Sequence, residues 1–368
     1  MAALTDPIDV VAIDALARDA GLFLHRLDLI QRRALFVRVG EDELRAASFL
    51  DARFSVQDRD RFWLSLNRLS AAQGAPGSAP APPDFIFHIG HCGSTLLSRL
   101  LDASPAVLGL REPRVLRDLA AAKADRHSPQ AGRDMSQWQA LLARSLTLLG
   151  RTFQAGQRVV VKATSSCNDL IVPLLSSFAQ ARVVLLHVPL ESYLATMIKA
   201  PDGGLDAMRS APVRLRYLHQ QLRDDSLRRY RLGQPETIAM GWVAEMARFH
   251  EIRSSWAATT AVMSLDFEAL LLDPELHLAK VRHHLRLCTA NQRSSPSTKS
   301  AVMRAYAKDP AYAYSPTDRE HDLDLSRRQF SVEIASGMRW AEQLLSRHAR
   351  LAPLAPLMFR HADSSRGL

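Results

Sequence analysis

The turn Gly90-His-Cys-Gly-Ser-Thr95 follows the apolar stretch Phe85-Ile-Phe-His88 and leads into a helical pattern carrying Leu96, Leu97, Leu100 and Leu101 before Pro105. Glycines between a strand and a helix leave backbone amides uncovered, and Ser94 and Thr95 add two hydroxyls at the positive end of the helix. Such a turn binds anions. It is not a Walker A loop, because its glycines are two residues closer together and the lysine is missing. Nor is it a G-x-S-x-G nucleophile elbow. A second feature is Glu112, a carboxylate with Arg111 and Arg114 as the cations nearest in sequence, suited either to general-base work or to a salt bridge. A third is Lys162, which closes the apolar run Val159-Val-Val161 and could stabilise developing negative charge. His88, His91 and Cys92 are metal-ligand types, but their close spacing on a strand and turn without a fourth partner is poor for zinc. His277, His283 and His284 read as a solvated helix face. The seven arginines from Arg209 to Arg231 read as a solvated face or as a flap over an anion.

These residues need elements to position them. Short apolar, β-branched runs predict strands at Phe85–His88, Ala106–Leu110, Arg158–Lys162, Arg182–His187 and Ala261–Leu265. Helical patterns separate most of them: Thr95–Asp102, Met135–Leu149, Asp169–Ala179, Leu190–Lys199 and a long region from Leu205 to Trp256. Strand and helix in alternation predict an α/β fold, a P-loop-like doubly wound parallel sheet flanked by helices. In such sheets ligands bind beyond the carboxyl ends of the strands, where His88–Thr95, Arg111–Arg114, Lys162–Ser166, His187 and Asp266–Glu268 fall. The stretch Gln73–Pro83 is rich in Pro, Gly and Ala and reads as a linker. It divides a small α+β N-terminal segment, residues 1–72, from the α/β domain, residues 84–368. Within the segment a helix at Val10–Ala20, a strand at Ala34–Val39 and helices at Glu43–Phe49 and Asp58–Ser70 are expected, with no chemistry-bearing motif.

Composition narrows the class. Of 368 residues, 47% are hydrophobic and 23% charged, which excludes disordered, collagen-like and disulfide-scaffold chains. No apolar run is long enough to span a bilayer, and the start lacks the basic region of a signal peptide. Three separated cysteines, Cys92, Cys167 and Cys288, fit a reducing compartment, so a cytoplasmic location is expected. Arginines number 41 and lysines 6, with a formal charge of +9. The charge is not clustered with aromatic platforms, so neither a nucleic-acid groove nor a membrane surface is expected.

The segment Phe85–Pro105 resembles the 5′-phosphosulfate loop and first helix of sulfotransferases that use 3′-phosphoadenosine 5′-phosphosulfate, the bacterial and tyrosylprotein branch above all. Leu110-Arg-Glu-Pro-Arg-Val115 is similar to that branch's catalytic glutamate segment. Val159–Lys162 followed by Ala181–Pro189 is similar to its lysine strand and Arg-Asp-Pro strand end, and Met263–Glu275 to a late segment of the family. The similarity runs from Phe85 to Leu287. It implies sulfuryl transfer from that donor, without a metal, to a hydroxyl or amine of a small-molecule or peptide acceptor. By resemblance Glu112, Lys162 and His91 are catalytic. His91, Cys92, Gly93, Ser94, Thr95 and Leu96, with His187 and Thr196, hold the donor, and Arg114 contacts the acceptor. The chain departs from the family at three positions: His91 replaces a loop cation, His187 replaces the 3′-phosphate arginine, and Ala195 replaces a serine, with Thr196 adjacent. A nucleotide-dependent phosphotransferase sharing the anion loop, or a non-catalytic anion-binding protein, are the alternatives.

Overall fold

The computed structural model describes residues 16–71, 81–125, 135–287, 301–305, 309 and 311–359. The expected linker lies outside the described residues except for 81–83, as does most of the expected Val10–Ala20 helix.

Two sheets organise the chain. The first is an antiparallel meander of β1 (Leu22–Asp28), β2 (Arg33–Arg38) and β3 (Arg61–Ser65) in that order. The expected helix over Asp58–Ser70 is thus half strand, and helix begins only at Leu66. Arg61-Phe-Trp-Leu-Ser65 is the kind of aromatic run that gains more from a pleated neighbour than from helical spacing: Phe62 stands opposite Phe36, ring centroids 5.5 Å apart. Strand β1 escapes the period-2 pattern because its register with β2 slips between Leu24 and Arg26, at the buried His25.

The second sheet has five strands in the order β5-β6-β4-β7-β8. They are β4 (Asp84–His88), β5 (Val107–Arg111), β6 (Arg158–Lys162), β7 (Val183–His187) and β8 (Val262–Asp266), each within two residues of its sequence-based position. The sheet is parallel, and every residue of β4, β5 and β7 is buried, which is why these strands read as unbroken apolar runs. At the start of β4 the buried Asp84 receives Arg158 Nη2 at 2.6 Å and the Arg182 amide at 2.9 Å. The long helical region resolves into two helices, Gly203–Leu222 and Gln234–Ser255. No described helix is long and apolar enough to cross a membrane.

The chain divides into two compact units. One comprises residues 1–87, 95–183 and 282–299, including the meander, β5, β6 and most of β4. The other comprises residues 88–94, 184–281 and 300–368, including the Gly90–Ser94 turn and β8.

His25 carries a consequence for acid stability. Burial, and then the charges of Arg114 and Arg26, hold its imidazole down from 6.5 to about 4. The unfolded chain therefore takes up this proton near pH 6.5 and the folded chain only near pH 4. Stability from the neutral ring is complete above that window and is lost as pH falls through it, by roughly 3 kcal/mol for a shift of this size. His25→Leu should flatten the fall in unfolding free energy between pH 7 and 4, measured by urea titration; an unchanged slope would assign the acid sensitivity elsewhere.

Candidate functional site

In the first unit, β5 and β6 pair so that Arg111 lies beside Lys162, each the last residue of its strand. One residue further on, the Glu112 amide still donates to the Lys162 carbonyl at 2.7 Å, but its backbone has turned left-handed, with φ 55°. That conformation costs a non-glycine residue roughly 1–2 kcal/mol. Strain of this kind persists where surrounding structure enforces it. Here the turn aims the Glu112 carboxylate at Lys162: Nζ lies 2.5 Å from Oε1, and both side chains are almost wholly buried.

The cations next to Glu112 in sequence are not its partners. Successive strand residues point to opposite faces. Arg111, fully buried, pairs with Asp102 at 2.9 Å, and Asp102 is shared with Arg45 at 2.8 Å. Arg114 turns to Asp118, 4.0 Å away, and its amide donates to the Leu50 carbonyl at 3.1 Å. Glu112 Oε2 instead receives Arg53 Nη2 at 3.0 Å, with Arg117 Nη2 at 3.6 Å. Arg53 is itself fixed by a two-pronged pair to the buried Asp51, at 2.9 and 2.7 Å, and its guanidinium lies 3.3 Å over the Phe49 ring. Burial works to raise the Asp51 carboxyl, but hydrogen bonds and charge from Arg53, with Arg117, outweigh it and hold the group below the usual range. Phe49, Asp51 and Arg53 belong to the N-terminal segment, in which the sequence offers no motif. Their relation to Glu112 is a contact across some sixty residues, invisible to local spacing.

In the second unit the Gly90–Ser94 turn has three positive φ values: 94° at Gly90, 48° at His91 and 76° at Gly93. His91 and Glu112 are thus both among the few described non-glycine residues in left-handed conformation. The Gly90 amide donates to His88 Nδ1 at 3.0 Å, and the Cys92 thiol to the Leu186 carbonyl at 3.6 Å. His91 Nε2 lies 3.2 Å from Asp206 Oδ2. Among the described residues no group of three potential metal ligands assembles. The turn is anchored from behind by Ile89, whose carbonyl accepts from the buried Tyr193 hydroxyl at 3.4 Å and from Arg214 at 3.5 Å. Arg214, placed by its sequence neighbours on an exposed face, is buried and paired with Glu245 at 3.0 Å. After the turn, Ser94 and Thr95 are buried at the start of the Ser94–Asp102 helix, and Leu97, Leu100 and Leu101 face the core. The first amides of a helix have no acceptor within it, so this end can accept an anion.

His187 is buried at the end of β7. The neighbouring Leu190–Lys199 helix buries Ala195 fully, its carbonyl taking Ser326 Oγ at 2.6 Å. The Thr196 hydroxyl donates to the Ser192 carbonyl of its own helix at 2.8 Å.

Gly93 is required twice over, by its positive φ and by the Phe267 ring, which would lie 2.0 Å from an added Cβ. Gly93→Ala should therefore displace either ring or turn, destabilising the protein by at least ~2 kcal/mol. Introduced into a Phe267→Ala chain, Gly93→Ala should lower stability in thermal unfolding by less than it does in the wild type, leaving the share due to φ.

No family model and no curated protein sequence matches the chain. Solved structures do. It is similar to the sulfotransferase STF1 of Mycobacterium tuberculosis H37Rv at 17% identity, over 72% of this chain and 82% of that one, with a TM-score of 0.36. Similarity to the sulfotransferase domain from the curacin biosynthetic pathway is 14% identity over 72% and 97%, TM-score 0.38. For a sulfotransferase from Alicyclobacillus acidocaldarius it is 13% over 72% and 96%, TM-score 0.35. Superpositions this loose assign no residue a role.

Proposed function

We propose that this chain is a sulfotransferase that moves a sulfuryl group from 3′-phosphoadenosine 5′-phosphosulfate to a hydroxyl or amine of a small-molecule or peptide acceptor. The observation that carries the reading is the buried Glu112–Lys162 pair at the ends of adjacent parallel strands, with Glu112 held in a strained backbone conformation. It stands beside the residue resemblance over Phe85–Leu287.

The donor, when bound, supplies a sulfuryl group already activated by a phosphate leaving group. Glu112 removes the acceptor's proton at its carboxylate. Once that proton arrives, Lys162 loses its closest anion, so its ammonium becomes a stronger hydrogen-bond donor at the stage when negative charge must be stabilised. The amides of Gly93, Ser94 and Thr95, with Cys92 and Leu96 alongside, orient an anion at the start of the Ser94–Asp102 helix, as the turn's geometry allows. His91 contributes its ring, in competition with Asp206.

The residues fit the 5′ end of this donor better than its 3′ end. The turn and helix start offer donors to a phosphosulfate. At the positions the resemblance assigns to the 3′-phosphate there is no arginine: His187 is a titratable ring, Ala195 is buried, and Thr196 already donates within its helix. The donor should therefore gain less from its 3′-phosphate than a site built on arginine would allow.

Calorimetry of the full chain with 3′-phosphoadenosine 5′-phosphate, ATP and sulfate, each with and without magnesium, tests the reading. Binding of the bisphosphate without magnesium, tighter than ATP, is expected. Magnesium-dependent binding of ATP in preference to the bisphosphate would replace sulfuryl transfer with phosphoryl transfer.

A further inference from the structure

Around Glu112 five charged groups share hydrogen bonds and ion pairs: the carboxylates of Glu112 and Asp51 and the cations Lys162, Arg53 and Arg117. Three cations against two anions leave one positive charge. That charge is not buried evenly. Lys162, Glu112 and Asp51 are almost wholly enclosed, whereas the side chains of Arg53 and Arg117 are 53% and 45% exposed.

The two guanidinium groups share the same pair of anions. Each brings Nη2 near the same two oxygens, Asp51 Oδ2 and Glu112 Oε2, at 2.7 and 3.0 Å from Arg53 and at 3.6 Å to both from Arg117, whose Nη2 donates its hydrogen bond to Thr164 Oγ1 at 3.3 Å. Arg53 Nη1 and Arg117 Nη1 and Nε make no hydrogen bond or ion pair to the described residues. A guanidinium is planar and can meet a carboxylate with two parallel hydrogen bonds. Arg53 is stiffened by its two-pronged pair with Asp51 and by the Phe49 ring beneath it, so holding it for a ligand costs little further side-chain freedom.

We propose that Arg53 and Arg117 form a carboxylate-binding subsite beside Glu112, and that the acceptor is a monoanion carrying its carboxylate there. A monoanion neutralises the cluster, whereas a phosphate dianion would overshoot it. The subsite also answers the charge change in the proposed reaction. When Glu112 takes a proton, the cations around it lose an anion, and the bound carboxylate holds the surplus at one positive charge instead of two. The subsite makes the N-terminal segment, through Arg53, a determinant of which acceptor is used. The acceptor half of this inference rests on the sulfotransferase reading; the carboxylate site does not.

The test is calorimetry on the full chain with two matched pairs of probes: 4-hydroxybenzoate against 4-hydroxybenzamide, and 4-hydroxyphenylacetate against its amide. The wild-type protein should bind the acid of at least one pair about tenfold more tightly than the amide. Arg117→Met, at an exposed side chain, and Arg53→Met should each remove that preference, and Arg53→Lys should retain part of it. Equal affinity for acid and amide in both pairs, or a preference that survives in both methionine variants, overturns the subsite. Affinity for 3′-phosphoadenosine 5′-phosphate, read on the same samples, reports separately on the donor. A carboxylate preference that depends on Arg53 and Arg117 without any bisphosphate binding supports the subsite and overturns sulfuryl transfer.

Discussion

A Glu112→Gln protein should release 3′-phosphoadenosine 5′-phosphate from the sulfated donor at least about a hundredfold more slowly than the wild type, and up to ten-thousandfold, the range expected when a positioned general base is removed. The amide keeps the shape of the side chain and can accept a hydrogen bond from Lys162, but it cannot take the acceptor's proton. The loss should fall on turnover rather than on donor affinity, because the donor's anionic end is assigned to the Gly90–Ser94 turn and the helix that follows it. Single-turnover release with saturating donor and a phenol acceptor separates the two. Turnover within threefold of wild type would remove Glu112 from the chemistry and leave it as the anion of a structural salt bridge.

The stability of the same protein should change in a way that identifies how the cluster is balanced. Glu112→Gln leaves Lys162, Arg53 and Arg117 facing Asp51 alone, three cations against one anion, in a largely buried setting. Breaking one side of a buried pair costs about 3–5 kcal/mol. Lys162→Met leaves two cations against two carboxylates and should cost about 1 kcal/mol, well under half as much. In the double variant the buried ammonium and its missing anion disappear together, so most of the Glu112→Gln loss should return. The coupling energy in that cycle should reach ~3 kcal/mol, the upper end for residues in contact. Urea unfolding of the four proteins measures it. Additive effects would mean that Lys162 and Glu112 do not sense one another in solution.

Much of this architecture is legible from local pattern, and the reason is burial. Strands covered on both faces must be apolar throughout, so Phe85–His88, Arg158–Lys162 and Arg182–His187 mark the sheet without help from any partner. The turn at Gly90 is legible because only certain residues tolerate its backbone. What local pattern does not carry is pairing over distance. Arg111 and Arg114 look like the partners of Glu112 because they are adjacent in sequence, yet a strand sends neighbouring side chains to opposite faces. Arg111 goes to Asp102, and Arg53 takes the place it left. The helix expected over Asp58–Ser70 fails for a related reason: Phe62 finds Phe36 across the sheet, and a cross-strand aromatic pair outweighs helical spacing in a five-residue run.

The clamp on Glu112 has two parts that are easily overlooked, both made by main chain. The Leu50 amide donates to the Arg111 carbonyl at 2.7 Å, and the Leu50 carbonyl receives the Arg114 amide at 3.1 Å, one bond on each side of the left-handed residue. A single residue of the first sixty thus splints the turn that aims the carboxylate. Such a segment cannot be exchanged as a cassette. Grafted onto another leader, the sheet would inherit Glu112 and Lys162 but lose the splint, and with it the geometry that makes them a pair. Because the splint is main chain, any residue but proline at position 50 could supply it, and what has to match the braced strand is the path of the segment together with the side chains of Asp51 and Arg53.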